Sequence, residues 1–209
     1  MTRLIRLLAI LTALVGVPAM ASEAPCLGHA QARCAGLASP WLDLRGRALA
    51  QGNFAGAVLD HANFAGADLR GVNFEGARLR HVNFMGADLR AANLKGADLS
   101  HAKLEGANLE RANLRGALLV RADLKLTDLS GADLGATDLA RADLHGSNLQ
   151  GADLGEARLD HAGFQLANLK GASLLGASLQ GMRATGARLQ EAIWSDGRRC
   201  SATSVGGCR

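Results

Sequence analysis

The sequence predicts an all-β solenoid: a rod wound from short extended segments and sharp corners, with its apolar side chains inside. Three observations predict it. Leu or Phe recurs at every fifth position, as at Phe64, Leu69, Phe74, Leu79, Phe84 and Leu89. A small residue stands two places before each, as at Ala62, Ala67, Val72, Ala77, Val82 and Ala87. Gly is frequent two places after, as at Gly56, Gly66, Gly71, Gly76, Gly86, Gly96, Gly106 and Gly116. A five-residue step turns about 140° on an α-helix, so the apolar positions would spiral around every side. On a straight strand an odd period would flip them from face to face. A chain that extends briefly and then turns satisfies all three observations. The Leu or Phe (the centre) and the small residue before it point inward, and the residue between them points out. That residue is mostly Asn or Asp, which bond to nearby backbone, while Gly tolerates the corner. Each coil then buries its inner face on its neighbours.

The elements follow in chain order. Residues 1–21 read as a secretory signal, with Arg3 and Arg6, the apolar run 7–17 and small residues at Ala19 and Ala21. The run is shorter than the roughly 20 apolar residues a bilayer span needs. Cys26 follows Glu23-Ala24-Pro25, which does not suit a lipoprotein anchor. The remaining chain fits one domain: an N-terminal cap over 22–40, the repeat over 41–194 and a C-terminal cap over 195–209. The phase holds from Leu44 to Trp194, with Ala184 the weakest interior centre. Trp41 and Trp194, the two tryptophans, are expected to cover the ends of the stack.

Charge narrows the function. The formal net charge is +4, and within 41–194 there are 17 Lys plus Arg and 17 Asp plus Glu. A neutral rod matches neither a nucleic-acid binder nor a strongly acidic mimic. The four cysteines, Cys26, Cys34, Cys200 and Cys208, lie outside the repeat. An even count in an exported chain reads as disulfides, with three pairings possible. There is no Cys-x-x-Cys or nearby His pair to support zinc.

"ANFAG" (62–66), "ADLRG" (67–71), "ANLKG" (92–96), "ADLSH" (97–101) and "ANLRG" (112–116) resemble the pentapeptide repeat family, whose motif is A-(D/N)-L-x-x. The tail "AIWSDGRRCSATSVGGC" (192–208) looks like the closing segment of exported, disulfide-capped members. The resemblance implies a right-handed quadrilateral β-helix with four pentapeptides per coil, so that residues twenty apart stack in columns. About eight coils at ~4.8 Å each give a rod roughly 35 Å long. A disulfide needs Cα atoms within about 7 Å. On that family geometry the pairs are Cys26 with Cys34 and Cys200 with Cys208.

Stacking in twenties exposes one unusual corner column: His61, His81, His101, Arg121, Arg141 and His161. It reads either as solvated surface or as a basic strip for an acidic partner, with metal chelation by stacked imidazoles as a further alternative. A second column, Asn53, Asn73, Asn93, Asn113, Asp133, Asp153 and Ser173, reads as a structural amide ladder. Asp123, Asp128, Asp133, Asp138 and Asp143 circle the rod at five-residue steps, whereas paired catalytic carboxylates must lie within about 10 Å. No nucleophile stands with Asp60-His61 or Asp160-His161, and no phosphate loop or exposed aromatic platform is evident. Met85, Leu118, Val120, Leu126, Leu166 and Leu175 are expected to face outward. The expectation is a non-catalytic, exported, monomeric scaffold of the cell envelope, in the periplasm or secreted. It would bind a protein partner, with no cofactor, nucleic acid or membrane insertion. The family suggests a second role, DNA mimicry that protects topoisomerases, which the signal and the neutral repeat disfavour.

Overall fold

The computed structural model describes residues 32–208. The signal (1–21), Cys26, most of the expected N-terminal cap and Arg209 lie outside the described residues.

One pentapeptide shows how the chain coils. Phe54 N–H donates to the Asn73 carbonyl at 2.7 Å, and Asn73 N–H donates to the Gly52 carbonyl at 2.8 Å. The corner amide of Gly56 donates to the Glu75 carbonyl at 2.8 Å, and Ala57 N–H closes the turn onto the Phe54 carbonyl at 3.0 Å. Each outward residue thus pairs, in parallel, with the one twenty later. One such series runs Arg33, Asn53, Asn73, Asn93, Asn113, Asp133, Asp153, Ser173, Ile193. Four corners separate consecutive members, so the coil is four-sided. No extended strand forms among the described residues. Each face contributes a single bridging residue, because only three residues lie between one corner and the next.

The second corner residue carries the turn. Its φ lies between +55° and +73° at every fifth position from Gly36 to Glu191. A positive φ at the third residue of a four-residue turn is the signature of type II. The Asn or Asp before each centre satisfies the first corner amide, as when Ala65 N–H donates to Asn63 Oδ1 at 3.1 Å.

The interior is one continuous stack of Leu, Phe and Ala. Phe54 and Phe74 stack at 5.2 Å on one face, Phe64 and Phe84 at 5.1 Å on the opposite face. The two pairs meet across the rod, with Phe64 5.7 Å from Phe74. The opposing rings fill the space that Ala leaves on the flanks. Where Thr127, Thr137 and Ser147 replace the inward Ala, the buried hydroxyls donate to the carbonyls of Leu104, Leu134 and Leu144 at 2.9, 2.7 and 2.7 Å. Those bonds remove the penalty of burying them.

The two ends differ from expectation. Coiling is already established at Arg33, which bridges to Asn53, and Ala38 bridges to Val58. The repeat therefore extends at least eight residues upstream of the expected boundary at 41. Cys34 occupies a centre and is buried, and it is disulfide-bonded; its expected partner, Cys26, lies outside the described residues. Trp41 does not cover the end of the stack: it sits at a corner, 71% exposed. At the other end the tail folds back antiparallel, Arg199 on Ile193 and Val205 on Arg188. Cys200 and Cys208 are bonded, with Cα atoms 4.8 Å apart, and Trp194 packs against the core. This closes only two of the four faces. The amides of Leu179, Gly181, Ala184 and Gly186 meet no acceptor among the described residues. The monomer expectation assumed two closed ends, and the C-terminal one is half open.

Because the Phe ladder is fully buried, Phe74→Ala should cost about 3–5 kcal/mol. Urea denaturation of the purified chain measures it; a loss under 1 kcal/mol would mean the rings do not interlock.

Candidate functional site

The corner that carries the histidines is the most distinctive surface of the rod. It begins one coil earlier than the sequence reading placed it: Trp41, His61, His81, His101, Arg121, Arg141 and His161, ending at Gly181. All seven side-chain-bearing members hold positive φ, from +56° to +66°. The other three corner columns are richer in Gly. One departs at Leu126 and Leu166, one at Ala136 and Glu156, one at Gln51, Ala91, Arg111 and Glu191. The left-handed conformation disfavours any residue with a Cβ by about 1–2 kcal/mol. Strained backbone of this kind concentrates at functional positions.

The column is also ordered by its own rings. Trp41 stacks on His61 at 4.0 Å with planes 7° apart. His61 stacks on His81 at 4.8 Å and 3°, and His81 on His101 at 4.8 Å and 12°. The 4.8 Å step is the spacing of hydrogen-bonded strands, so the coil itself sets the ring separation. The ring faces are consumed in stacking. Desolvation between its neighbours holds the His81 pKa below the ordinary histidine value, and positive charge on His101 and His61 lowers it further. Asp60 opposes that shift and Arg80 adds to it.

Metal chelation is a poor use of this geometry. Parallel rings project their lone pairs side by side, whereas a metal needs them to converge. Among the described residues no group of three His, Cys, Asp or Glu is arranged to hold an ion. The carboxylates around the rod are mostly engaged by Arg. Arg70 binds Asp68 at 2.7 Å, Arg90 binds Asp88 at 2.6 Å and Arg78 binds Asp60 at 2.7 Å. Arg80 pairs with Asp98, and Arg158 spans Asp138 and Asp160 at 3.1 and 2.9 Å. Arg121 and Arg141, in the column, have no such partner among the described residues. Asp123, Asp128, Asp133 and Asp138 stand on four successive faces, and Asp143 returns to the face of Asp123, its bridge partner; Lys125 lies 2.9 and 4.0 Å from those two carboxylates.

The amide column holds together over part of its length. Asn73 donates to Asn53 at 3.3 Å and Asn93 to Asn73 at 3.0 Å, but no side-chain bond continues it to Asn113, Asp133, Asp153 or Ser173. A second ladder, Asn168 to Asn148 to Asp128 at 3.0 Å each, went unread in the sequence although its twenty-residue spacing was available. Leu126 and Leu166 are exposed at corners, lying against Gly146 and Gly186 of the following coils. Met85, Leu118 and Leu175 are also exposed, while Val120 is half-buried.

The Pentapeptide repeats family model matches eight copies, spread over residues 42–193. No curated protein sequence matches the chain. Among solved structures, HetL, a pentapeptide repeat protein involved in heterocyst differentiation regulation from the cyanobacterium Nostoc sp. strain PCC 7120, is 33% identical. That match covers 78% of this chain and 85% of HetL, with a TM-score of 0.42. QnrB1, a plasmid-mediated fluoroquinolone resistance protein, is 19% identical over 69% of this chain and 92% of its own, with a TM-score of 0.40. A pentapeptide repeat protein of the Arabidopsis thaliana thylakoid lumen is 22% identical over 78% and 85%, with a TM-score of 0.31. The matched copies span most of the chain, and the five-residue coil they describe is the one seen here: this chain belongs to the pentapeptide repeat family.

Proposed function

We propose that this protein is an exported, non-catalytic rod, a right-handed quadrilateral β-helix that works as a protein-interaction scaffold of the cell envelope, in the periplasm or secreted. Its contact surface is the corner column from Trp41 to His161, and its partner presents an acidic face. The observation that carries this reading is the run of seven successive side chains held at positive φ on one corner. At about 1 kcal/mol each relative to Gly, they forgo stability on the scale of a whole domain's net 5–15 kcal/mol. Gly serves the same turn elsewhere on the rod, so geometry alone does not call for these side chains. The unpaired Arg121 and Arg141 set the sign of the partner. The export signal and the Cys200–Cys208 bond support an oxidising compartment. DNA mimicry is disfavoured, since the carboxylates such a mimic would display are tied to Arg.

Two experiments test the reading. A periplasm-dependent reporter fused after residues 1–25 should become active in the exported fraction; activity confined to the cytoplasm contradicts export. His61→Gly, His81→Gly and His101→Gly together should leave folding stability nearly unchanged, because relieved backbone strain offsets lost stacking of about 0.5–1.5 kcal/mol per ring pair. Capture of the acidic partner should fall at least tenfold. Equal capture by the variant and the wild type would exclude the rings as the contact.

A further inference from the structure

We propose that the foot of this column is an oxyanion site, shaped for a phosphate-type tetrahedral dianion. Arg141, His161, Gly181 and Arg183 line a concavity of about 470 Å³ at the C-terminal end of the rod. Two glycines build it. Gly181 is the first member of the column without a side chain, and the His161 ring lies in the space its Cβ would fill. Gly163 stands where Asp43, Asn63, Asn83, Asp123 and Asp143 carry a polar side chain in the same outward column. Arg183 reaches into that gap, its Nη2 3.3 Å from the point where a Gly163 Cβ would be. Gly163 thus leaves room for the Arg183 guanidinium in a notch that Gln165 Oε1 and Asp143 Oδ1 also border, at 2.9 and 3.5 Å from the same point.

The donors are unspent. Arg141 and Arg183 form no ion pair within 4.0 Å among the described residues. The nearest carboxylates are occupied or withdrawn. Asp160 accepts from Ser178 at 2.5 Å and from Arg158 at 2.9 Å. Asp143, across the Gly163 notch with Gln165, faces Lys125 at 4.0 Å. Two guanidinium forks and an imidazole around one concavity supply more donors than a planar carboxylate can accept. A tetrahedral group with three or four oxygens matches them, whether free phosphate or the end of a phosphomonoester. The site shares Arg141 and His161 with the proposed contact column, but phosphate binding is read in the absence of any protein partner, so its failure and the failure of the acidic-partner reading are distinguishable.

The test is a titration of the full disulfide-bonded chain with inorganic phosphate, followed by NMR at the Gly181 amide and the His161 ring. Saturable shifts at those two positions are expected, weakened about tenfold in the Arg141→Gln, Arg183→Gln double variant and unchanged in Arg188→Gln. Both arginines are exposed, so the double variant should fold; unaltered Ala192 and Cys200 resonances confirm it. Glycerol phosphate saturating the same resonances assigns the site to phosphomonoesters, and binding of inorganic phosphate alone assigns it to the free ion. Shifts that never saturate, that persist in the double variant, or that an aspartate-rich peptide reproduces at equal affinity would overturn the proposal.

Discussion

Everything in this rod depends on one backbone conformation, the left-handed residue at the second position of each corner. It turns the chain after three extended residues and aims the corner amide at the coil that follows. With that turn repeated every five residues, four faces close in twenty, and identical positions stack at the strand spacing. The interior receives only two side chains per face, which is why a large Leu or Phe must be matched with Ala. A corner that refused the left-handed region would break the turn, the ladder bond and the inward register together.

The same constraint explains what the surface can do. A globular protein brings distant residues together in a cleft; a solenoid brings together residues that are one coil apart. Its natural site is therefore a column, with a side chain about every 4.8 Å. The column from Trp41 to His161 uses this spacing to stack three imidazoles on an indole and to continue them with two unpaired guanidinium groups. A departure from the repeat is then informative in itself. At Gly163 and Gly181 the departures hollow out the wall beside His161, and at the tail they leave amides unpaired.

Much of this was legible in the sequence because the period is local. Phe64, Leu69 and Phe74 announce the inward register, and the twenty-residue spacing of the histidines announces the column. The ends were harder to read. Cys34 and Ser39 stand at centres, where Leu or Phe mark the phase elsewhere, so the first coil passed for a cap. Trp41 was assigned to the end of the stack because a large aromatic ring suits a lid, yet its position, twenty before His61, puts it at the head of the column. That the tail covers only two faces depends on its antiparallel return, which no periodic pattern records. The notch at Gly163 reads in sequence as one imperfect repeat, and only Arg183 from the next coil gives it meaning.

On the proposed function, strain is retained along one corner because that corner binds. The most direct measurement is photo-crosslinking in intact cells from His81 and Arg121, compared with Gly96 and Gly116 on the adjacent corner. A single acidic partner is expected from the first pair and none from the second. The same products from both corners, or none from either, would contradict it.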